Sequence, residues 1–421
     1  MKFSQLFTKT LKNAPSDETA VNAQLLIRAG FVYKEMAGVY SYLPLGLRVI
    51  NKIENIIREE MDKIGGIEMK TSVLQNKEIW EKSNRWSDEV VDNWFKTELK
   101  NGGKAGLSFT NEEAYSNILK QYVNSYKDFP IYPYDFKEIF RNETRSKSGI
   151  LRGREFYWKA MYSFSRNENE HNDFYNGEAM EAYKNIFKRV GIGDRTYLTY
   201  SSGGTFSKFS HEFQTLCDSG EDTIYISRND YGKGLETEKG HAAINKEIFT
   251  DDLKKDLGLG EDFEEKKAIE VGNIFTLGTK FSEPFNLNFT DEDGTKKLVF
   301  MGSYGIGLSR LMGTVVEVSH DDEGIIWPES IAPFKAHLIS LGKNDEAEQI
   351  YKTLQSADIE VLYDDREDKG PGEKFADADL LGCPWRLVVS GRMSENEVEI
   401  KKRADKEPQV IKTSELLDVL K

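Results

Sequence analysis

Five cations crowd into residues 140–156, FRNETRSKSGILRGREF, of a chain whose formal net charge is −14. They are Arg141, Arg145, Lys147, Arg152 and Arg154, with Glu143 and Glu155 set among them. Guanidinium forks bind phosphate oxygens two at a time, an aromatic ring stacks on a purine, and a carboxylate accepts from an exocyclic amine. If DFKEIFRNE and RGREFYWKAMYSFS are the strands of a hairpin around TRSKSGIL, side chains alternate between its faces. Arg141 and Glu143 then share a side of the first strand, and Arg152, Arg154, Phe156 and Trp158 share one on the second. Such a face describes a nucleotide site. A solvated hairpin whose arginines merely pair with Glu143 and Glu155 would account for this segment as well.

A second feature bears on that choice. In MGSYGIGLSRLMGTVVEV, residues 301–318, a strand turns through Gly302, Gly305 and Gly307 into an apolar helix with Arg310 in its first turn. The glycine order fits neither GxGxxG nor GxxxxGK[ST], so Rossmann and P-loop readings both fail. A cation at a helix start opposes the helix dipole. Arg310 is better explained with an anion beside it, the alternative being a glycine turn next to an exposed arginine.

The elements that must position these residues change character along the chain. VINKIENIIREEMDKI, residues 49–64, sets Val49, Ile53, Ile56, Ile57 and Ile64 on one face of a helix that Gly65 and Gly66 stop. From about Met69 to Phe300, strand-like and helical runs mix without a repeating βαβ rhythm, which predicts an α+β domain on a largely antiparallel sheet. After Pro328 and Pro333 the order becomes strand, helix, strand, helix, two strands and a helix, a compact α/β module with a mixed sheet. The expected domains are residues 1–332 and 333–421. Residues 229–268 are charged and read as a surface excursion with one or two short helices.

Composition narrows the class. Hydrophobic residues at 38% and aromatics at 12% exclude a disordered chain, and no apolar run approaches the ~20 residues of a membrane span. The N-terminus lacks an apolar signal core, so a cytoplasmic protein is expected. Cys217 and Cys383 stand far apart without CxxC spacing, and the five histidines, His171, His211, His241, His320 and His337, are dispersed. Neither a disulfide framework nor a protein-built metal cage is supported. The acidic balance repels polyanions on average, so a nucleic-acid partner would have to be met by local basic patches.

FRNE, a loop and RGREF, followed by GIGLSR, resemble motifs 2 and 3 of class II aminoacyl-tRNA synthetases. LLIRAGFVYKEMAGVYSYLPLGLRVI, FTNEEA, FSHEF with SGED, VGNIFTLGTKFS, GIIWPESIAPF and YDDREDKGPGEKFADADLLGCP extend the resemblance over nearly the whole chain to the prolyl-tRNA synthetase family, bacterial type. That resemblance implies a class II catalytic domain, with motif 1 at about 40–75, motif 2 at about 134–164 and motif 3 at about 300–318, followed by an anticodon-binding domain. It implies a homodimer that activates proline with ATP and Mg²⁺ and passes it to the 3′ end of tRNA(Pro). Arg141 would hold the α-phosphate and the proline carboxylate, Glu143 the adenine amino group, Phe156 the adenine face, and Arg152 and Arg310 the β- and γ-phosphates. Arg145 and Lys147 would touch ATP or the tRNA acceptor end, or be solvated. Thr110 and Glu112 would accept from the proline ammonium. Trp158 and His211 would wall its ring, although core packing explains Trp158 too. Arg366 and Lys374 match anticodon-contact positions, and the Mg²⁺ ligands are not legible.

Several positions depart from the family pattern. Ser72 stands where motif 1 expects proline, Asn111 and Asn273 stand where histidines are expected, and Ala160 replaces an aspartate. The 223–269 stretch is too short for the editing domain that many bacterial relatives insert there, so none is expected. Two rivals follow from the same residues: a ligase of this fold for another acid, and a non-catalytic, synthetase-like tRNA-binding or regulatory protein. Retention of Arg141, Arg152 and Arg310 speaks against the second.

Overall fold

The computed structural model describes residues 1–144, 146, 148–204, 209–237, 243–256 and 262–421. Arg145, Lys147 and His241 lie outside the described residues. Contacts divide the chain into two compact units, Met36–Val39 with Glu54–Thr314, and Met1–Glu35 with Tyr40–Ile53 and Val315–Lys421.

Nine strands of the first unit form one sheet: β1 (Gly66–Glu68), β2 (Tyr132–Phe140), β3 (Glu155–Ser165), β4 (Thr196–Ser202), β5 (Phe209–Leu216), β6 (Asp222–Ser227), β7 (Ala243–Asn245), β8 (Phe263–Gly278) and β9 (Phe300–Gly307). Their order is β5-β4-β7-β6-β8-β9-β3-β2-β1, and β5 also pairs with β8, which closes five strands into a ring at one end. Only β1 with β2 and β7 with β4 run parallel, so the expected antiparallel platform is present. Helix α1 (Pro44–Lys63) buries Val49, Ile53, Ile56 and Ile57 as their spacing requires. It stops before Gly65, whose φ of +79° favours glycine.

The charged 229–268 stretch is more than a surface excursion. It supplies β7 and the start of β8 to the sheet, with one α-helix at Asp251–Asp256. Ile224, Ile226, Ala243 and Ala268 form a small buried core with Tyr197. A three-residue strand among charges offers no period-2 run, which is why the pattern did not announce it.

The second unit carries a five-stranded mixed sheet: β10 (Ala336–Leu341), β11 (Val361–Asp364), β12 (Trp385–Ser390), β13 (Glu397–Lys402) and β14 (Gln409–Lys412), ordered β11-β10-β12-β13-β14. Strand β10 is parallel to β11 and β12, and the remaining pairs are antiparallel. The sequence reading missed β14, a mostly exposed edge strand with no buried face to alternate. The chain's opening residues share this unit: the Met1 ammonium donates to the Val361 carbonyl at 2.8 Å, and the Ser4 hydroxyl to Asp365 at 2.7 Å.

Candidate active site

The hairpin ladder ends where Phe140 faces Glu155. One further backbone bond, from the Arg141 N–H to the Arg154 carbonyl at 2.8 Å, follows it. Arg152 and Arg154 lie beyond the strands, so strand parity does not place them as the sequence suggested. The chain instead passes through Ser148, at φ +68°, and a single 3₁₀ turn, Gly149–Leu151, that returns Arg152 towards Glu143. Arg154 turns away and donates to the carbonyls of Ala37, at 2.6 Å, and Glu143, at 3.0 Å.

A cleft of two lobes opens beside this loop. The first, about 250 Å³, is lined by Arg141, Glu143, Arg152, Phe156, Asp222 and Arg310 among others. The second, about 270 Å³, is lined by Arg85, Thr110, Glu112, Tyr162 and Asn273 among others. Arg141, Phe156, Trp158, Glu270 and Arg310 border both lobes.

Arg141 sits at the junction. Its guanidinium lies 5.1 Å from the Phe109 ring centre and 5.5 Å from that of Phe156. Its Nε is buried and has no hydrogen-bond partner among the described residues. Burial, and then the positive Arg310, hold its pKa below the ordinary arginine value. In the first lobe Arg152 donates to Glu143 and to Glu221, both at 2.9 Å. Arg310 lies in the first turn of α3 (Leu308–Val318). The anion expected beside it is, within the chain, a carboxylate. Arg310 donates to the Glu270 carboxylate at 3.0 Å, to the Glu270 carbonyl at 2.9 Å and to the Leu151 carbonyl at 3.0 Å.

Glu270 escaped the sequence reading for a geometric reason. Gln214 of β5 faces Glu270 and Phe213 faces Gly272, so β8 carries an extra residue at Val271. That bulge brings Glu270 and Asn273, three residues apart, to the same side, where the Asn273 amide donates to Glu270 at 2.7 Å. Strict alternation would have separated them.

In the second lobe the Glu112 carboxylate is held on three sides. The Thr110 hydroxyl donates to it at 2.6 Å, Arg85 at 3.2 Å and the Tyr162 hydroxyl at 3.2 Å. Glu112 also opens helix α2 (Glu112–Leu119), where the helix dipole favours a negative charge. Arg85, not singled out in the sequence, further donates to buried Glu113 at 3.0 Å. Trp158 both lines the cleft and packs on the β9 glycines. A Cβ on Gly305 would stand 2.2 Å from its ring, so only glycine fits there.

Three expected site residues are placed elsewhere. His211 borders neither lobe. It faces Ile274 across the ladder, and its Nδ1 lies 2.8 Å from the Tyr175 hydroxyl. Its neighbour Glu212 faces Asn273 instead, and burial followed by the charge of Glu270 pushes that carboxyl up to about 7. In the second unit Arg366 pairs with Asp364 at 2.7 Å and Asp377 at 2.8 Å beneath the Phe3 ring. Lys374 is buried and donates to the Ser340 carbonyl at 2.9 Å. Both brace the module from inside instead of presenting a cation at its surface.

Residues 95–319 match the tRNA synthetase class II core domain (G, H, P, S and T), and residues 331–421 match an anticodon-binding domain. A proline–tRNA ligase of Phenylobacterium zucineum is 38% identical over 98% of this chain and 98% of its own. The chain belongs to the prolyl-tRNA synthetase family. A further proline–tRNA ligase, from Caulobacter vibrioides, is 37% identical over 100% of this chain and 99% of its own. The solved prolyl-tRNA synthetase of Cryptosporidium parvum, complexed with halofuginone and AMPPNP, aligns with a TM-score of 0.76. It covers 95% of this chain and 76% of its own at 16% identity, which supports the shared fold. The class II catalytic core and anticodon-binding module that the motifs implied are those of this family.

Proposed function

We propose that the two-lobed cleft joins proline to ATP and that the product, prolyl-adenylate, is passed to the 3′ end of tRNA(Pro). The observation that carries this reading is the position of Arg141 between a lobe lined by cations and a lobe closed by the Thr110–Glu112 carboxylate. One guanidinium there reaches both reactants, the α-phosphate from one side and the proline carboxylate from the other.

Proline's ionised carboxylate oxygen forms a bond to the α-phosphorus while the bond to the β-phosphate oxygen breaks, and pyrophosphate leaves. No protein nucleophile is needed, so the residues position the reactants and neutralise charge. Arg152 and Arg310 receive the β- and γ-phosphates, exchanging part of their present pairing with Glu143, Glu221 and Glu270 for phosphate oxygens. Phe156 takes the adenine face, and Glu143, released from Arg152, accepts from the adenine amine. Thr110 and Glu112 accept the two N–H donors of the proline ammonium, and Trp158 walls the ring. In the second step a ribose hydroxyl of the tRNA terminus attacks the activated carbonyl and AMP departs.

No three ligating side chains converge among the described residues. Asp222 and Glu270 nevertheless line the phosphate lobe, and hard carboxylate oxygens completed by phosphates suit Mg²⁺. When bound, the ion would offset phosphate charge, and these two residues would hold it.

We assign catalysis to residues 1–332 and anticodon reading to 333–421, and we place the enzyme in the cytoplasm with translation. Among the described residues no helix is long and apolar enough to cross a membrane. The enzyme is a homodimer in this reading. The edge strand β1 and the segment after it expose Ile67 at 59%, Val73 at 37% and Leu74 at 53%, an apolar strip on the motif 1 segment that a second copy would cover.

Glu112→Gln tests the assignment of the lobes. Replacing the charged acceptor with a neutral one should raise the KM for proline by about tenfold and leave that for ATP unchanged. A fall in ATP affinity with unchanged proline affinity would mean that the lobes are misassigned.

A further inference from the structure

Beneath the Thr110–Glu112 element lies a buried polar cluster that no step above uses. Lys137 of β2 is 3% exposed, and its three ammonium hydrogens meet three acceptors. These are the Thr71 hydroxyl at 2.6 Å, the Asn111 side-chain carbonyl at 2.8 Å and the Ser72 backbone carbonyl at 3.2 Å. Asp135, two residues earlier on the same face of β2, is fully buried. It accepts from the Thr71 hydroxyl at 2.5 Å and from the Asn111 amide at 3.4 Å. Asn111 is thereby gripped at both ends of its amide, which fixes which atom is the acceptor.

The position of Asn111 gives the cluster its consequence. It lies between Thr110 and Glu112, and its own N–H donates at 3.3 Å to the Tyr162 hydroxyl that in turn donates to Glu112. Gln75 adds a bond from its amide to the Thr110 carbonyl at 2.7 Å. A buried charge is costly to keep, and a cluster satisfied in full fixes its neighbours tightly.

We propose that Lys137 is a positioning residue for proline: through Asn111 it sets where the Thr110 and Glu112 acceptors stand, and it ties them to the Thr71–Ser72 segment. The proposal rests on the reading of the second lobe as the imino-acid pocket. Lys137 borders neither lobe, so its effect must pass through Asn111. It follows that loss of Lys137 loosens proline recognition specifically, while the arginines that serve ATP keep their places.

The test is steady-state pyrophosphate exchange with the full chain, varying proline and ATP separately, in Lys137→Met. The Asp135→Asn/Lys137→Met double variant leaves no lone buried charge and decides the matter if the single variant does not fold. The expected result is a KM for proline raised about tenfold or more, with the KM for ATP and the turnover at saturating proline within about twofold of the parent. A proline KM within about twofold of the parent in a folded variant overturns the proposal, as does an equal rise for both substrates. Glu112→Gln is run alongside. If it shifts proline recognition and Lys137→Met does not, only the role of Lys137 fails. If neither does, the pocket itself is misread.

Discussion

Arg141→Met should make the protein more stable and nearly inactive at once. The substitution keeps an unbranched apolar stem and removes the guanidinium. In the folded chain that guanidinium is desolvated, faces Arg310, and leaves Nε without a partner among the described residues. A buried charge that finds no full set of partners is costly to keep, and an apolar side chain of similar volume removes that cost. Burial and Arg310 oppose the Arg141 charge more than Glu270, Glu143 and Glu112 favour it, so a gain in stability is expected. The catalytic loss runs the other way. In the proposed roles two charge-assisted contacts would disappear, to the α-phosphate and to the proline carboxylate, at about 1.5–3 kcal/mol each. Together they amount to about 3–6 kcal/mol, or roughly 10²- to 10⁴-fold in kcat/KM. Thermal unfolding and pyrophosphate exchange on the same preparation measure both quantities. ATP with proline should raise the melting temperature of the parent far more than that of the variant. A variant that melts below the parent, or that keeps activity within about tenfold, would refute the placing of Arg141 as a desolvated cation between the substrates.

Three other outcomes follow from particular contacts. Gly305→Ala would put a methyl group 2.2 Å from the Trp158 ring and 2.9 Å from the Asn273 side chain. It should displace the ring into the cleft and lower kcat/KM by about 10²-fold, and a variant with parental kinetics would show that Trp158 does not wall the pocket. His337 is buried, and that burial holds its pKa at about 4 instead of 6.5, so the unfolded chain binds the extra proton first. Its contribution is therefore complete above pH 6.5 and is lost as pH falls towards 4, about 2 kcal/mol of it between pH 6.5 and 5. Urea midpoints at pH 7 and 5 should fall less for His337→Phe than for the parent, and equal falls would contradict this. Pre-formed alanyl-tRNA(Pro) should survive incubation with the enzyme, because the described part of 223–269 is built into the sheet as β6, β7 and the start of β8. Rapid deacylation would locate a hydrolytic site on this chain.

Much of the site was legible because it rests on short, ordered motifs. Arg141, Glu143, Arg152, Phe156 and Arg310 were all named from sequence, and one cleft gathers them. The route was misread for Arg152, which reaches the cleft through a loop and a 3₁₀ turn and not through strand alternation. Glu270, and its place beside Asn273, were hidden by a one-residue bulge that breaks period-2 parity. Arg85 was hidden because nothing local marks an arginine 27 residues before the carboxylate it grips. Arg366 and Lys374 look like surface cations in a charged run. Only the fold shows them turned inward, onto Asp364 and Asp377 in one case and onto a strand carbonyl in the other. The helix over 49–64, strands β2, β3 and β9, and strands β10 to β13 with the helices between them were legible from their patterns. Strands β7 and β14 were not, one being three residues long and the other a largely exposed edge.

The condensation of proline with ATP in this cleft is tested most directly by isotope exchange between pyrophosphate and ATP, with proline, alanine and cysteine compared at matched concentrations. Exchange should require an amino acid and be supported best by proline. Alanine, small enough to enter the pocket, should support it measurably but more weakly. Exchange that is absent with proline, or faster with another acid at the same concentration, would contradict the account.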